Sequence, residues 1–153
     1  HFHGRHTMER ITERLPLAHG IQESSSRRGT SSHQQNPSII LFNKDCTETQ
    51  GNCIGTMLMY SGSFSAKIEY DQLEQTRLVM GINPELFRWE LKSGAKFCTP
   101  ESVTSFSNKG FEQLSHNFHK TVREHICRGK YKLAERPVLI NNWEAILSIV
   151  CLP

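Results

Sequence analysis

Between residues 38 and 106 the apolar positions recur every second residue or gather in short unbroken runs, which is the pattern of strands. Ser38-Ile39-Ile40-Leu41-Phe42 is a continuous apolar run and reads as a central buried strand. Residues 54–60 are apolar on both faces. Phe64, Ala66, Ile68 and Tyr70 then alternate with Ser65, Lys67, Glu69 and Asp71, so one face is wet. With Ser61-Gly62-Ser63 as a tight connection between them, the two runs predict a hairpin. Residues 76–82 form another strand, ended by Asn83-Pro84. Phe87, Trp89 and Leu91 alternate with Arg88, Glu90 and Lys92 and predict one more, closed by Ser93-Gly94. Residues 97–106 are a last extended stretch, and Pro100 places it at a sheet edge.

The period changes at Asn108-Lys109-Gly110. Phe111, Leu114, Phe118, Val122 and Ile126 fall at helical spacing, predicting a helix over residues 111–127 with Gly129 at its C-terminal cap. A basic connector over residues 130–136 follows, then a short apolar strand, Val138-Leu139-Ile140, that runs into Asn141-Asn142-Trp143-Glu144. An apolar strand with such a polar and aromatic tip looks like the first strand of a (β/α)₈ barrel, whose sites form at the C-terminal ends of its strands. A barrel needs about 250 residues, so the chain reads as a fragment.

The first residues are polar. His1, His3 and His6 read as a disordered patch, and residues 9–14, with acids and bases around Ile11, as a half-exposed strand or a strand at a subunit interface. Residues 16–20 form a turn. Residues 21–36 have almost no apolar side chain after Ile21, and their composition reads as a flexible loop. Residues 43–52 are a loop of acids, Thr and Gly.

Lys and Arg exceed Asp and Glu by three, 18 against 15, and are spread along the chain, so no nucleic-acid partner is implied. No apolar run approaches the roughly 20 residues of a membrane span. The five cysteines, at positions 46, 53, 98, 127 and 151, are scattered with no CxxC pair and fit a reducing compartment such as the cytoplasm.

Little in the chain is arranged for catalysis. His116, His119 and His125 do not share one helical stripe, so a zinc site is not expected. Cys46 and Cys53 flank a polar loop and could approach each other. The acids, such as Glu69, Asp71, Glu74 and Glu90, sit on wet faces or in loops, and no catalytic pair of carboxylates stands out. Trp143 reads either as packing beneath a barrel or as the wall of a sugar site. Asn141 and Asn142 read either as hydrogen-bond partners of sugar hydroxyls or as caps on the strand end.

Four stretches carry a family resemblance: Ser26-Arg27-Arg28-Gly29-Thr30-Ser31-Ser32-His33-Gln34 with Asn36-Pro37; Tyr60-Ser61-Gly62-Ser63-Phe64; Gly81-Ile82-Asn83-Pro84 with Phe87 and Trp89; and Arg136-Pro137-Val138-Leu139-Ile140-Asn141-Asn142-Trp143-Glu144-Ala145. Phe97-Cys98-Thr99-Pro100-Glu101 adds a Thr-Pro-Glu step. Over residues 3–145 the chain resembles the N-terminal region of the family 36 glycoside hydrolases, the α-galactosidases of bacterial and fungal type.

The resemblance implies a mainly β fold: a β-supersandwich (galactose mutarotase-like) over residues 1–107, a linker helix and connector over 108–135, and the first strand of a truncated (β/α)₈ barrel over 136–153. It implies a parent enzyme that hydrolyses terminal α-galactosyl groups of melibiose and raffinose with retention, using two Asp on later barrel strands that this chain lacks. No catalytic residue, metal or cofactor is then expected here. Trp143, with Asn142, would contact the galactose of an α-galactoside oligosaccharide. Family members often form tetramers, giving the charged strand at residues 9–14 an interface role. The match to residues 21–36 also implies that this polar segment is ordered by hydrogen bonds. Beyond Ala145 the apolar run of residues 146–153 departs from the family and reads as a truncation or frameshift. The other readings are a stand-alone carbohydrate-binding β-sandwich and a structural interaction domain.

Overall fold

The computed structural model describes residues 1–85, 87–135 and 137–138. The strand expected at residues 138–140, together with Asn142 and Trp143, lies outside them but for Val138. Residues 1–118 form one compact unit. Its strands are β1 (Phe2–Arg5), β2 (Met8–Thr12), β3 (Gly20–Ser25), β4 (Ser38–Phe42), β5 (Cys53–Leu58), β6 (Phe64–Tyr70), β7 (Thr76–Ile82) and β8 (Ser102–Ser107). They pair antiparallel as a β1-β2 ribbon and two three-stranded sheets, β3-β6-β7 and β4-β5-β8. The fold is mainly β, as expected.

The two larger sheets face each other across a core of Ile39, Leu58, Phe64 and Ala66, with Leu41, Ile68, Leu78 and Met80 around it. The other face of β4-β5-β8 receives α1 (Gly110–Thr121), where Leu114, Phe111 and Phe118 pack with Ile40, Cys46 and Cys53. Strand β4 is therefore sandwiched: Ile39 and Leu41 face the opposite sheet, and Ile40 faces the helix side. That explains its unbroken apolar run, although β5, not β4, is the central strand of its sheet. Gly55 on β5 lets the helix approach, since a Cβ there would lie 2.7 Å from the Phe118 ring.

The hairpin expected between residues 54–60 and 64–71 does not form. Strand β5 pairs with β4 and β8, and β6 pairs with β3 and β7. Residues 59–63 carry the chain from one sheet to the other, and alternation with a glycine turn looks the same in either connection. The hairpin of β6 is with β7: Asp71 Oδ1 accepts from the N–H groups of Leu73 and Gln75 at 2.8 and 2.9 Å. Strand β7 ends at Ile82, before Asn83, as read.

Three further expectations are corrected. Residues 21–25 lie in a strand, because every one of their backbone positions is in register with β6 and cross-strand polar pairs replace apolar ones. Ser65 Oγ donates to Glu23 Oε1 at 2.8 Å, and Lys67 pairs with Glu23 at 3.9 Å. The terminal His-rich patch is ordered around β1, with His3 in the strand, His1 before it and His6 in the turn to β2: the His1 amino group donates to Glu13 O at 3.0 Å, and Arg10 lies 4.9 Å over the Phe2 ring. Residues 87–92 form no strand; Phe87, Trp89 and Phe97 gather instead as an exposed aromatic group. The last extended stretch is a strand only over β8, which among the described residues pairs on one side alone, with β5.

Residues 119–153 form a second unit. Its described part continues α1 into a π-helical turn, Val122–Ile126, closed by Cys127 N–H donating to Val122 O at 2.8 Å. Gly129, read as the helix cap, has φ +87° and starts the next turn, where Lys132 N–H donates to Gly129 O at 3.1 Å. Among the described residues no helix is long and apolar enough to cross a membrane.

Candidate functional site

Residues 26–36 begin where β3 ends. Ser26 N–H donates to Phe64 O at 2.9 Å and extends the β3–β6 ladder by one residue. The chain then turns on its own side chains: Ser26 Oγ donates to Thr30 O at 2.7 Å, and Ser32 Oγ accepts from Gln34 N–H at 3.2 Å. These are the short polar residues that compete with regular structure by bonding nearby backbone. The segment is ordered by hydrogen bonds, as the resemblance implied.

Its remaining bonds reach across the sequence. Gly29 N–H donates to Ser63 Oγ at 2.7 Å, Ser31 N–H to Ser61 O at 2.8 Å, and Ser31 Oγ to Tyr60 O at 3.1 Å. Thus the sheet-to-sheet connection is held by the 26–31 loop. Asn83 joins both. It is 3% exposed; its Nδ2 donates to Ser26 O and Phe64 O at 3.1 and 3.3 Å, and its Oδ1 accepts from Glu85 N–H at 2.9 Å. Three of the stretches that carried the resemblance are therefore one hydrogen-bonded knot.

On the outer side of the knot, Ser25, Ser26, Arg27, Arg28, Gln34 and Gln35 line a cavity of about 350 Å³. Arg27 Nη1 lies 2.6 Å from Glu85 Oε2, and that hydrogen bond, with the carboxylate charge, raises the Arg27 pKa above its ordinary value. The cavity offers guanidinium and amide donors to a polar group, but no acid–base pair. Other carboxylates are engaged elsewhere: Glu13 with His1 and His3, Glu69 with Arg77.

The second exposed surface is aromatic. Trp89 and Phe87 lie 5.1 and 6.1 Å from Phe97 by ring centroids, tilted at 43° and 48°, and Trp89 is 61% exposed. Such faces pack on apolar surface, including the C–H face of a sugar. The alternation of Phe87, Trp89 and Leu91 signalled exposure of one set but not the absence of a strand. A wider groove of about 950 Å³ runs past Ile39, Leu41, Ile54 and Phe106 and also past Glu13, Arg14, Glu23 and Lys44, so its wall is mixed.

His116, His119 and His125 are exposed on the helix and the turn after it. Among the described residues no three His, Cys, Asp or Glu groups are placed to hold a metal ion. Cys46 and Cys53 do come together, in the cluster beneath α1. Burial and the neighbouring Cys46 push the Cys53 thiol up to about 11.

Comparison with known proteins bears on this arrangement. The family model for the glycosyl hydrolase family 36 N-terminal domain matches residues 1–92, and the one for melibiase matches residues 96–148. The bifunctional α-galactosidase/sucrose kinase AgaSK of Mediterraneibacter gnavus is 53% identical over 94% of this chain and 15% of its own length. The α-galactosidase AgaA of Geobacillus stearothermophilus is 48% identical over 95% of this chain and 20% of its own length. The crystal structure of AgaA superimposes with a TM-score of 0.89 over 95% of this chain, and the galactosidase domain of AgaSK with 0.86 over 94%. Variants of AgaA have been solved in complex with stachyose and with raffinose. The chain spans a fifth or less of the length of these relatives.

Proposed function

Because the chain belongs to glycosyl hydrolase family 36, we infer that it is a section of an α-galactosidase. Residues 1–107 are its β-supersandwich, 108–135 its linker helix and connector, and 136–153 the first strand of its catalytic barrel. The parent enzyme hydrolyses terminal α-galactosyl groups of raffinose-type oligosaccharides with retention. Its two catalytic Asp lie outside this chain, which is inactive alone. Trp143 and Asn142 contact the terminal galactose. The parent works in the cytoplasm as a homotetramer, with the charged segment at residues 9–14 at a subunit contact. The observation that carries this reading is the alignment of nearly the whole chain with α-galactosidases, at 53% and 48% identity. The sugars bound to AgaA variants support the ligand class.

The test is a chimera in which residues 1–145 replace the matching segment of AgaA. We expect it to hydrolyse raffinose; a folded, inactive chimera speaks against the reading. In it, Trp143→Ala lowers kcat/KM by about tenfold or more, each tenfold being about 1.4 kcal/mol of transition-state stabilisation. Its melting temperature moves little. A core Trp would instead cost about 3–5 kcal/mol of stability, so a large fall in melting temperature with normal kcat/KM would make Trp143 a packing residue.

The exposed Phe87, Trp89 and Phe97 group favours a second reading, a stand-alone carbohydrate-binding module. That reading requires the isolated chain to bind raffinose and to lose binding on Trp89→Ala. A calorimetric titration without heat rejects it.

A further inference from the structure

Two thiols that the proposed function leaves unused meet at the start of α1. Cys46 is 6% exposed and Cys53 1%, and both belong to the apolar cluster that holds Leu114. The loop between β4 and β5 brings them together. Asn43 N–H donates to Asn52 O at 3.1 Å, Cys46 N–H to Asn43 O at 2.9 Å, and Thr47 N–H to Gln50 O at 2.8 Å. This curl lays Cys46 on Gly51, so close that a Cβ at Gly51 would lie 2.6 Å from Cys46 Cα. Cys46 Sγ donates to Thr47 O at 3.7 Å, and both thiols pack in the same buried cluster.

The same loop caps the helix. The first N–H groups of an α-helix have no partner within it. Here Gly110, Phe111 and Glu112 donate to the carbonyls of Gly51, Thr47 and Glu48 at 3.0, 3.1 and 2.9 Å. Gly110 has φ +74°, and a Cβ there would collide with Thr47 O. Cys53 Sγ donates to Gly110 O at 3.4 Å. The two sulfurs thus flank the backbone that holds the helix start, while Cys98 and Cys127 are exposed.

We propose that Cys46 and Cys53 form a modification site: a thiol pair that closes to a disulfide and clamps the β4–β5 loop onto the N-terminus of α1. The oxidant is a small-molecule disulfide of the glutathione class. The Cys46 thiolate attacks one sulfur and one glutathione thiolate leaves. The Cys53 thiolate then attacks Cys46 Sγ in the mixed disulfide and displaces the second glutathione. The protons of the two protein thiols end on the two glutathione thiols. Cys53 gives up its proton reluctantly where it is buried, so closure is slow at neutral pH and quickens as pH rises.

The test uses the full chain carrying Cys98→Ser, Cys127→Ser and Cys151→Ser, kept folded in oxidised glutathione. We expect both remaining thiols to disappear, and the intact mass to fall by about 2 Da as two hydrogens are lost. Exchange of the Gly110, Phe111 and Glu112 amides should slow by about tenfold, with recovery in dithiothreitol. Adding Cys46→Ser abolishes the mass loss. If the triple variant does not fold, peptide mapping of the unmodified chain decides, by a linked Cys46–Cys53 peptide or its absence. The proposal is overturned if the folded protein keeps both thiols, if it gains a glutathione and stops there, or if the link forms only in denaturant.

Discussion

Phe64 stands at the seam between two regions held by different physics. Its side chain, 0% exposed, is the largest fully buried group in the core between the sheets. Its carbonyl belongs to the polar knot, accepting from Ser26 N–H and from Asn83 Nδ2. The core is non-directional: stabilisation follows apolar area removed from water, and residues of similar volume exchange at modest cost. The knot is directional. Each serine and asparagine answers one particular backbone group, so its sequence is constrained residue by residue. That is why three of the four stretches that carried the family resemblance meet in the knot, while the strands around the core were visible only as a pattern.

The largest expected effect comes from breaking the core. Phe64→Ala should cost about 3–5 kcal/mol in urea unfolding, through lost burial and the cavity left behind. Phe64→Leu keeps most of the volume and should cost under about 1.5 kcal/mol. Both leave the Phe64 carbonyl in place. If the leucine variant lost as much as the alanine one, the core would share the knot's residue-by-residue constraint and the contrast would fail.

Asn83 tests the other side. Asn83→Ala strands the Glu85 N–H and withdraws a donor from Ser26 O and Phe64 O. The expected cost is about 1–3 kcal/mol, that of leaving buried polar groups unsatisfied. Asn83→Asp, nearly the same shape, should do more harm than alanine at neutral pH. It sets a carboxylate oxygen against two carbonyl oxygens in a site that is 3% exposed. Burial and those carbonyls raise the aspartate's folded pKa above its unfolded value. Its stability is therefore greatest at acid pH and falls as pH rises through the folded pKa. An aspartate variant as stable as Asn83 at pH 7 would show that the amide's two donor bonds are dispensable.

What the sequence showed, and what it hid, follows the same division. Strand β7, the α1 face of Phe111, Leu114 and Phe118, and the double burial of β4 are apolar patterns, and they were legible because burial imposes the period. Strand β3 was not legible, since Gln22, Glu23 and Ser24 are placed by pairing with β6 and not by an apolar stripe. The mistaken hairpin has a related cause. An apolar run for β5 and period-two alternation for β6 mark both as strands but say nothing of their partners, which depend on the 26–31 loop binding Tyr60, Ser61 and Ser63. The aromatic group at Phe87, Trp89 and Phe97 misled in the opposite sense, imitating a strand face while making ring contacts of its own. The thiol pair was visible only as two cysteines around a polar loop; their meeting depends on the curl that lays Cys46 over Gly51.

The smallest effect is expected at the knot's outer edge, and it sharpens the comparison most. Arg27 and Glu85 make the shortest side-chain contact there, 2.6 Å, yet their side chains are 65% and 58% exposed. Exposed ion pairs gain little, because water and salt screen the attraction and two long side chains must be held in one geometry. The Arg27 pKa is raised by Glu85, but the group is charged at any pH at which the protein folds, so its titration contributes nothing between acid and neutral pH. Arg27→Ala should therefore leave the urea midpoint of the isolated chain unchanged within error at physiological salt, and Glu85→Ala should behave alike. The double variant should match either single one. If instead Arg27→Ala destabilised the chain as much as Asn83→Ala, the directional constraint of the knot would reach its solvent-facing rim. If stability held but the AgaA chimera lost activity with Arg27→Ala, the residue would belong to the function of the parent enzyme and not to the folding of this section.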